Sequence, residues 1–267
     1  MRLAILGGAF GLLLALSCAA HANMVQAPPP HTGSVGCNGI GPQFGLTCDA
    51  SLSDEFNGTS LDPNKWVLCN ECVGPPPFVG GGVATIPTSK NSGFIGASNL
   101  IPPAPNYYEI RIQFVGPNNQ SATWNETDII RNSNCVFFKP CEASPGEKTE
   151  TDLMEGKFGG ARMEQNYFQW NCVDHGVFPY TDCQTGASGT QIGSTIVDGT
   201  YHVIGYHRYF SGSTCIVDFY LDGRLDGTRN SDGQPGECTL AQTPTFWEEQ
   251  DDGQASSINI DYVRNFH

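Results

Sequence analysis

The chain of 267 residues carries 13 basic against 27 acidic residues, a formal charge of -14, with a pI of about 4.6. Nucleic acid and anionic membrane surfaces are therefore poor partners, because phosphate recognition needs a basic face, whereas a neutral glycan meets no such repulsion. The 32 Gly and 18 Pro call for many turns, and the length suits one large β domain better than two small ones.

At the N-terminus a single cation, Arg2, precedes the apolar run from Leu3 to Leu16, which is too short to span a bilayer comfortably. Ala20, His21 and Ala22 then supply a small-x-small cleavage signal, so residues 1–22 read as a signal peptide and the product as secreted and extracellular. A rival reading takes Leu16, Ser17 and Cys18 as a poor lipobox and leaves Cys18 lipid-anchored. Cysteine arithmetic favours the ordinary signal: of 11 Cys, removal of Cys18 leaves an even set, which in an exported chain reads as a disulfide framework. Cys69-Asn-Glu-Cys72 has zinc or redox spacing, but no second CxxC matches it. The simplest pairings join neighbours, Cys135 with Cys141 and Cys172 with Cys183, and each would pin a loop. The sequons at Asn57, Asn119 and Asn125 mark exposed positions, glycosylated only in a eukaryotic secretory pathway.

Residues 23–51 form a Pro/Gly-rich arm of little periodicity, tied down by Cys37 and Cys48. From Leu52 to the C-terminus, segments rich in aromatic and β-branched residues alternate with turn clusters, and no convincing amphipathic helix interrupts them. Strands are expected over Tyr107 to Phe114, Glu150 to Glu155, Ala161 to Trp170, Tyr201 to Tyr209, Cys215 to Leu221 and Ile258 to Phe266, with Asp222-Gly223 as a turn. The expected fold is all-β: a disulfide-rich, two-sheet antiparallel sandwich or jelly roll spanning 52–267.

Glu150-Thr-Asp152-Leu-Met-Glu155 places three acids within six residues of an expected strand. On a regular strand Glu150, Asp152 and Met154 share a face and Glu155 points the other way. A β-bulge at Leu153 and Met154 would return Glu155 to the face of the other two acids. Crowded like charges push one pKa upward, giving the ionised carboxylate and protonated partner that glycoside cleavage needs. The outer Glu Cα atoms would lie ~13 Å apart on an extended strand, so a concave sheet must converge the carboxyls to about 5 Å. The competing reading is an exposed acidic edge strand or a calcium loop.

At this motif the chain resembles glycoside hydrolase family 16, whose signature is an ExDxE or bulged ExDxxE strand in a concanavalin-like jelly roll. The likeness extends to Asp54-Glu-Phe-Asn-Gly-Thr-Ser-Leu-Asp62 with Trp66, Tyr108-Glu-Ile-Arg111, Tyr201-His202, Phe219-Tyr-Leu-Asp-Gly223 and Ile260-Asp-Tyr-Val-Arg264, in the family's order. The resemblance implies that Glu150 is the nucleophile, Glu155 the acid/base and Asp152 the acid that tunes the nucleophile, with retention of anomeric configuration. It also implies that Glu109 and Arg111 face the cleft; the alternative for them is a surface ion pair on an edge strand. Trp124 stands where many members carry a subsite Trp. Alternation puts Glu164, Asn166, Phe168 and Trp170 on one face, and an open face with amide and aromatic groups suits a sugar; Asn166, Phe168 and Trp170 join the substrate-binding candidates. For the aromatics the competing reading is core packing.

Thr151 departs from the aliphatic residue usual between the first two acids, and the bulged form resembles laminarinases and agarases more than lichenases. A His common on the following strand of laminarinases is replaced near Phe168 and Gln169. The expected activity is that of a retaining endo-glycosidase on β-linked polysaccharide, with β-1,3- or β-1,3-1,4-glucan ahead of galactans. The alternatives are a glycan-binding module without hydrolysis, which needs no acid/base pair, and a transglycosylase. A monomer without cofactor or metal is expected; a structural calcium ion is not indicated by any residue pattern.

Overall fold

The computed structural model describes residues 38–267 apart from 69–73, 88–91, 98–99, 116–119, 127–145, 157–162, 173–182, 193–197, 231–235 and 250–256. The signal segment, Cys18 and the Cys135–Cys141 pairing lie outside the described residues.

Two antiparallel sheets of seven strands each account for the described fold. In chain order the strands are β1 (Trp66–Leu68), β2 (Phe78–Gly80), β3 (Val83–Ile86), β4 (Ser92–Gly96), β5 (Asn106–Val115), β6 (Gln120–Glu126), β7 (Gly146–Gly156), β8 (Met163–Cys172), β9 (Cys183–Ile192), β10 (Tyr201–Ser211), β11 (Thr214–Leu221), β12 (Arg224–Asn230), β13 (Thr243–Glu249) and β14 (Ser257–Phe266). The front sheet runs β1-β4-β13-β6-β7-β8-β9 and the back sheet β12-β11-β10-β5-β14-β3-β2. Four residues, Gly236–Thr239, make the one α-helical turn among the described residues, α1.

All six expected strands form, each within a few residues of its expected limits. The Asp222-Gly223 turn has positive φ at both residues, 49° and 75°, the geometry that a two-residue hairpin demands and that Gly accepts without strain. β6 and β9 escaped the sequence reading because Gln-Ser-Ala-Thr-Trp-Asn-Glu and Cys-Gln-Thr-Gly-Ala-Ser-Gly-Thr-Gln-Ile are poor in the β-branched and aromatic residues that signal strands. β13 was hidden by Pro244.

The core lies between the sheets. Period-two alternation sends Tyr108, Ile110, Ile112 and Phe114 of β5 inward, where they meet Tyr206, Val217, Phe219, Ile258 and Ile260 of the back sheet and Phe94, Phe246, Leu153 and Met154 of the front. At one end Trp66 meets Phe94 and Phe246 edge-on, with ring centroids 5.2 and 5.8 Å apart, an arrangement that matches the aromatic quadrupoles.

The arm is part of this domain from residue 38 onward. Thr47 and His267 exchange backbone hydrogen bonds of 3.0 Å, and Ile40, Phe44 and Leu46 pack with Tyr107, Tyr220 and Phe266 on the outer face of the back sheet. A disulfide joins Cys215 of β11 to Cys238 of α1, two cysteines that follow one another along the chain. Cys48 is disulfide-bonded too. Cys172 and Cys183 stand directly opposite each other where β8 and β9 begin to pair.

Candidate active site on the front sheet

The bulge expected from the acid-rich segment is present in β7. On the β6 side Thr123 pairs with Met154 and Trp124 with Asp152, so Leu153 is the extra residue; on the β8 side the register shifts between Asp152 and Glu155. Leu153 and Met154 are both buried in the inter-sheet core, at 2% and 1% exposure, which regular alternation forbids for consecutive residues. Full burial of each side chain contributes about 1.5–3 kcal/mol. Sequence therefore dictates the local kink: an apolar pair between acids gains most when both members turn inward.

The consequence is a ladder of register positions. Position 150 lies opposite 126 and 168, position 152 opposite 124 and 166, and position 155 opposite 122 and 164. By register parity the three acids thus fall on one face of the front sheet, the face away from the core. Glu150 is half-buried and Asp152 only 4% exposed, both engaged in interactions. The sequence candidates Trp124, Asn166, Phe168 and Trp170 stand on the same ladder, Trp170 opposite Lys148. Their side chains, and that of Glu155, lie outside the described residues, so register alone locates them. Among the described residues no group of three or more His, Cys, Asp or Glu is arranged to hold a metal ion.

Behind the acids, on the inner face of β7, Thr149 and Thr151 are completely buried. Gln242 donates through Nε2 to Thr149 Oγ1 at 3.2 Å, to Thr151 Oγ1 at 3.1 Å and to Glu237 Oε1 at 3.0 Å. The Thr151 hydroxyl also donates to Glu237 Oε1. Burial pushes the Glu237 carboxyl up to about 6, with the Arg208 guanidinium 3.8 Å away pulling against it.

No family model matches the chain, and no curated protein matches it. Solved structures do. An endo-1,3-β-glucanase from Streptomyces sioyaensis superposes with a TM-score of 0.56 at 13% identity, covering 90% of this chain and 99% of its own. Porphyranase B from Zobellia galactanivorans gives 0.53 at 16% identity, over 83% and 92%. A glycosyl hydrolase family 16 protein from Mycobacterium smegmatis gives 0.52 at 15% identity, over 80% and 98%. The chain has the glycoside hydrolase family 16 fold.

Within that family 16 fold, two sequence expectations need correction. Glu109 and Arg111 sit on β5, at the centre of the back sheet, and neither faces the acid ladder. Their neighbours Tyr108, Ile110 and Ile112 fill the core, so Glu109 and Arg111 project from the outer side of the opposite sheet. Stacked sheets lie about 10 Å apart, and both sheets stand between these residues and the acids. Nor do the two pair with each other: Arg111 Nη1 donates to Asp261 Oδ2 at 2.7 Å, and Glu109 lies 3.7 Å from Arg264 Nη1. Both are buried, Glu109 beneath the arm, where a Cβ at Gly39 would collide with its carboxylate. Burial raises Glu109 to about 7, partly offset by Arg264.

The other family-like motifs of this fold prove to be structural. Asp54 and Val263 exchange backbone hydrogen bonds of 2.8 Å, Trp66 Nε1 donates to Asp54 Oδ2 at 2.7 Å, and Arg264 donates to both oxygens of Glu55, at 2.8 and 3.1 Å. The opening motif thus clasps the C-terminal one. A bulge in β14 at Asp261 turns Asp261 toward Arg111 and leaves Tyr262 under the Arg264 guanidinium, 3.6 Å from the ring centroid. His202 lies 2.8 Å from Asp222 through Nδ1, and this hydrogen bond holds its pKa above the ordinary value and fastens the turn.

Sequence reasoning missed Gln242, Glu237 and Thr149. The one available signal was Thr151, a polar residue where the family that the chain resembles usually carries an aliphatic one.

Proposed function

We propose that the protein is a secreted endo-glycosidase that cleaves β-linked polysaccharide with retention, acting by preference on β-1,3- or β-1,3-1,4-glucan. The observation that carries the reading is the bulge at Leu153, which brings positions 150, 152 and 155 into register on one face of the front sheet. Glu150 attacks the anomeric carbon while Glu155 protonates the departing glycosidic oxygen, and Glu155 then deprotonates the water that releases the glycosyl group from Glu150. Asp152, almost fully buried between them in sequence, orients and tunes Glu150. Positions 124, 166, 168 and 170 flank the acids and supply the sugar platform. The endo-1,3-β-glucanase among the structural neighbours supports a glucan as the first substrate to try.

The test is product analysis on laminarin, lichenan, xyloglucan, agarose and carrageenan. Short oligosaccharides from at least one β-glucan, with the β-anomer appearing first, are expected. Tight binding without cleavage of any of the five would replace the reading with a non-hydrolytic glycan-binding protein.

A further inference from the structure

The inner face of β7 is the wrong place for polar residues if the strand only needs to be held. Among the described residues, Leu153, Met154, Phe94 and Phe246 of the front sheet give the core apolar contacts. Yet directly behind Glu150, Thr149 and Thr151 meet Gln242 and Glu237, all four completely buried. A buried carboxylate is costly, and apolar residues of similar volume would fill the space at less expense. Burial pushes the Glu237 carboxyl up, the direction such a cost implies, while Arg208 and the hydrogen bonds of the cluster pull it back. A feature that lowers stability calls for a reason other than stability.

The cluster also crosses the sandwich. Tyr206 of β10 donates its hydroxyl to Gln242 Oε1 at 3.1 Å. Arg208 of the same back-sheet strand donates to the Glu237 backbone carbonyl at 2.7 Å and to Pro102 O at 2.6 Å. Gln242 is itself fixed by backbone hydrogen bonds with Ile101, 2.9 and 3.1 Å. Cys238, next to Glu237, is bonded to Cys215 of β11. Directional hydrogen bonds fix position to tenths of an ångström, whereas apolar contact tolerates rotation and sliding. In a strand, fixing residues 149 and 151 from behind fixes the residues between and beside them in front.

We propose that Gln242 and Glu237 are positioning residues for the catalytic strand: through Thr149 and Thr151 they set the height and tilt of Glu150 and Asp152 against the substrate. The proposal rests on the glycosidase reading of that strand. It gives Thr151 a role in the interior, so its departure from the family pattern concerns alignment of the acids and says nothing about substrate choice.

The experiment compares Thr151→Val, Thr151→Ser and Tyr206→Phe with the wild type, reading kcat and KM on the best polysaccharide and amide hydrogen exchange across residues 146–156. Thr151→Val keeps the shape and removes the hydroxyl; misplacement of the nucleophile by a fraction of an ångström should lower kcat about tenfold. KM should stay within about twofold, because the sugar platform is untouched. Thr151→Ser should restore kcat, and exchange in β7 should quicken in the Val variant alone of these two. Tyr206→Phe removes one peripheral hydrogen bond and keeps the core filled; a kcat loss of roughly threefold is expected, and it decides the matter if Thr151→Val fails to fold. A lower melting temperature with wild-type kcat and unaltered exchange in β7 overturns the proposal. A wild-type protein that cleaves none of the five polysaccharides sinks the glycosidase reading instead, and exchange in β7 then judges the clamp by itself.

Discussion

Glu109 offers a perturbation whose size and sign both follow from where it sits. Its carboxyl, 1% exposed beneath the arm, is raised by burial from 4.5 to about 7 despite Arg264 at 3.7 Å. A folded-state pKa above the unfolded one means that the native protein binds the proton more tightly. The stabilising contribution is then complete below pH 4.5 and is lost as pH rises through 7. At about 1.4 kcal/mol for each pKa unit, wild type should gain about 3 kcal/mol relative to Glu109→Gln as pH falls from 8 to 4.5. Gln keeps the shape and the acceptor oxygen but cannot ionise, so the difference between the two proteins isolates this one group. Urea unfolding at half-unit pH steps measures it. The expected result is a pair of stability curves that converge toward pH 4.5, separate progressively between pH 4.5 and 7 and run parallel above that, with Glu109→Gln the more stable at pH 8. Parallel curves across the range would refute the reasoning, since a buried carboxyl with an ordinary pKa cannot be as desolvated as its surroundings imply.

Other substitutions probe the fold and the site. Glu55→Ala removes both carboxylate hydrogen bonds of the buried Arg264, leaving it the Asn38 carbonyl, Glu109 and the Tyr262 ring, and should cost about 3 kcal/mol in chemical denaturation. Replacing Cys215 and Cys238 together with Ala reopens a 23-residue separation and should cost about 3 kcal/mol; a melting temperature unmoved by the change would show that the bond adds nothing to stability. At the acid ladder, both Glu150→Ala and Glu155→Ala should lose hydrolysis of unactivated polysaccharide. With an activated β-aryl glycoside and azide they should diverge: the Glu155 variant yields the β-glycosyl azide through two displacements, and the Glu150 variant the α-azide through one. The reverse pattern of anomers would exchange the two roles.

The alternation of aromatic and β-branched residues along Tyr107–Phe114 and Ile258–Phe266 was enough to determine an all-β sandwich, because a half-buried strand must repeat every two residues whatever it packs against. The bulge was also legible in the sequence: an apolar pair between acids is buried whole when an extra residue lets both members turn inward and keeps the acids in register on the other face, and the register shift at Leu153 is that arrangement. What alternation leaves open is the identity of the surface that covers each face. The spacing of Glu109 and Arg111 correctly put them on one face of a strand, yet only strand order shows that β5 belongs to the back sheet and that the face lies under the arm. Likewise Glu55 meets Arg264 across 209 residues of chain and Thr151 meets Gln242 across 91. No local pattern encodes such partners, because the free energy of a buried polar group is set by whichever groups the two sheets bring against it.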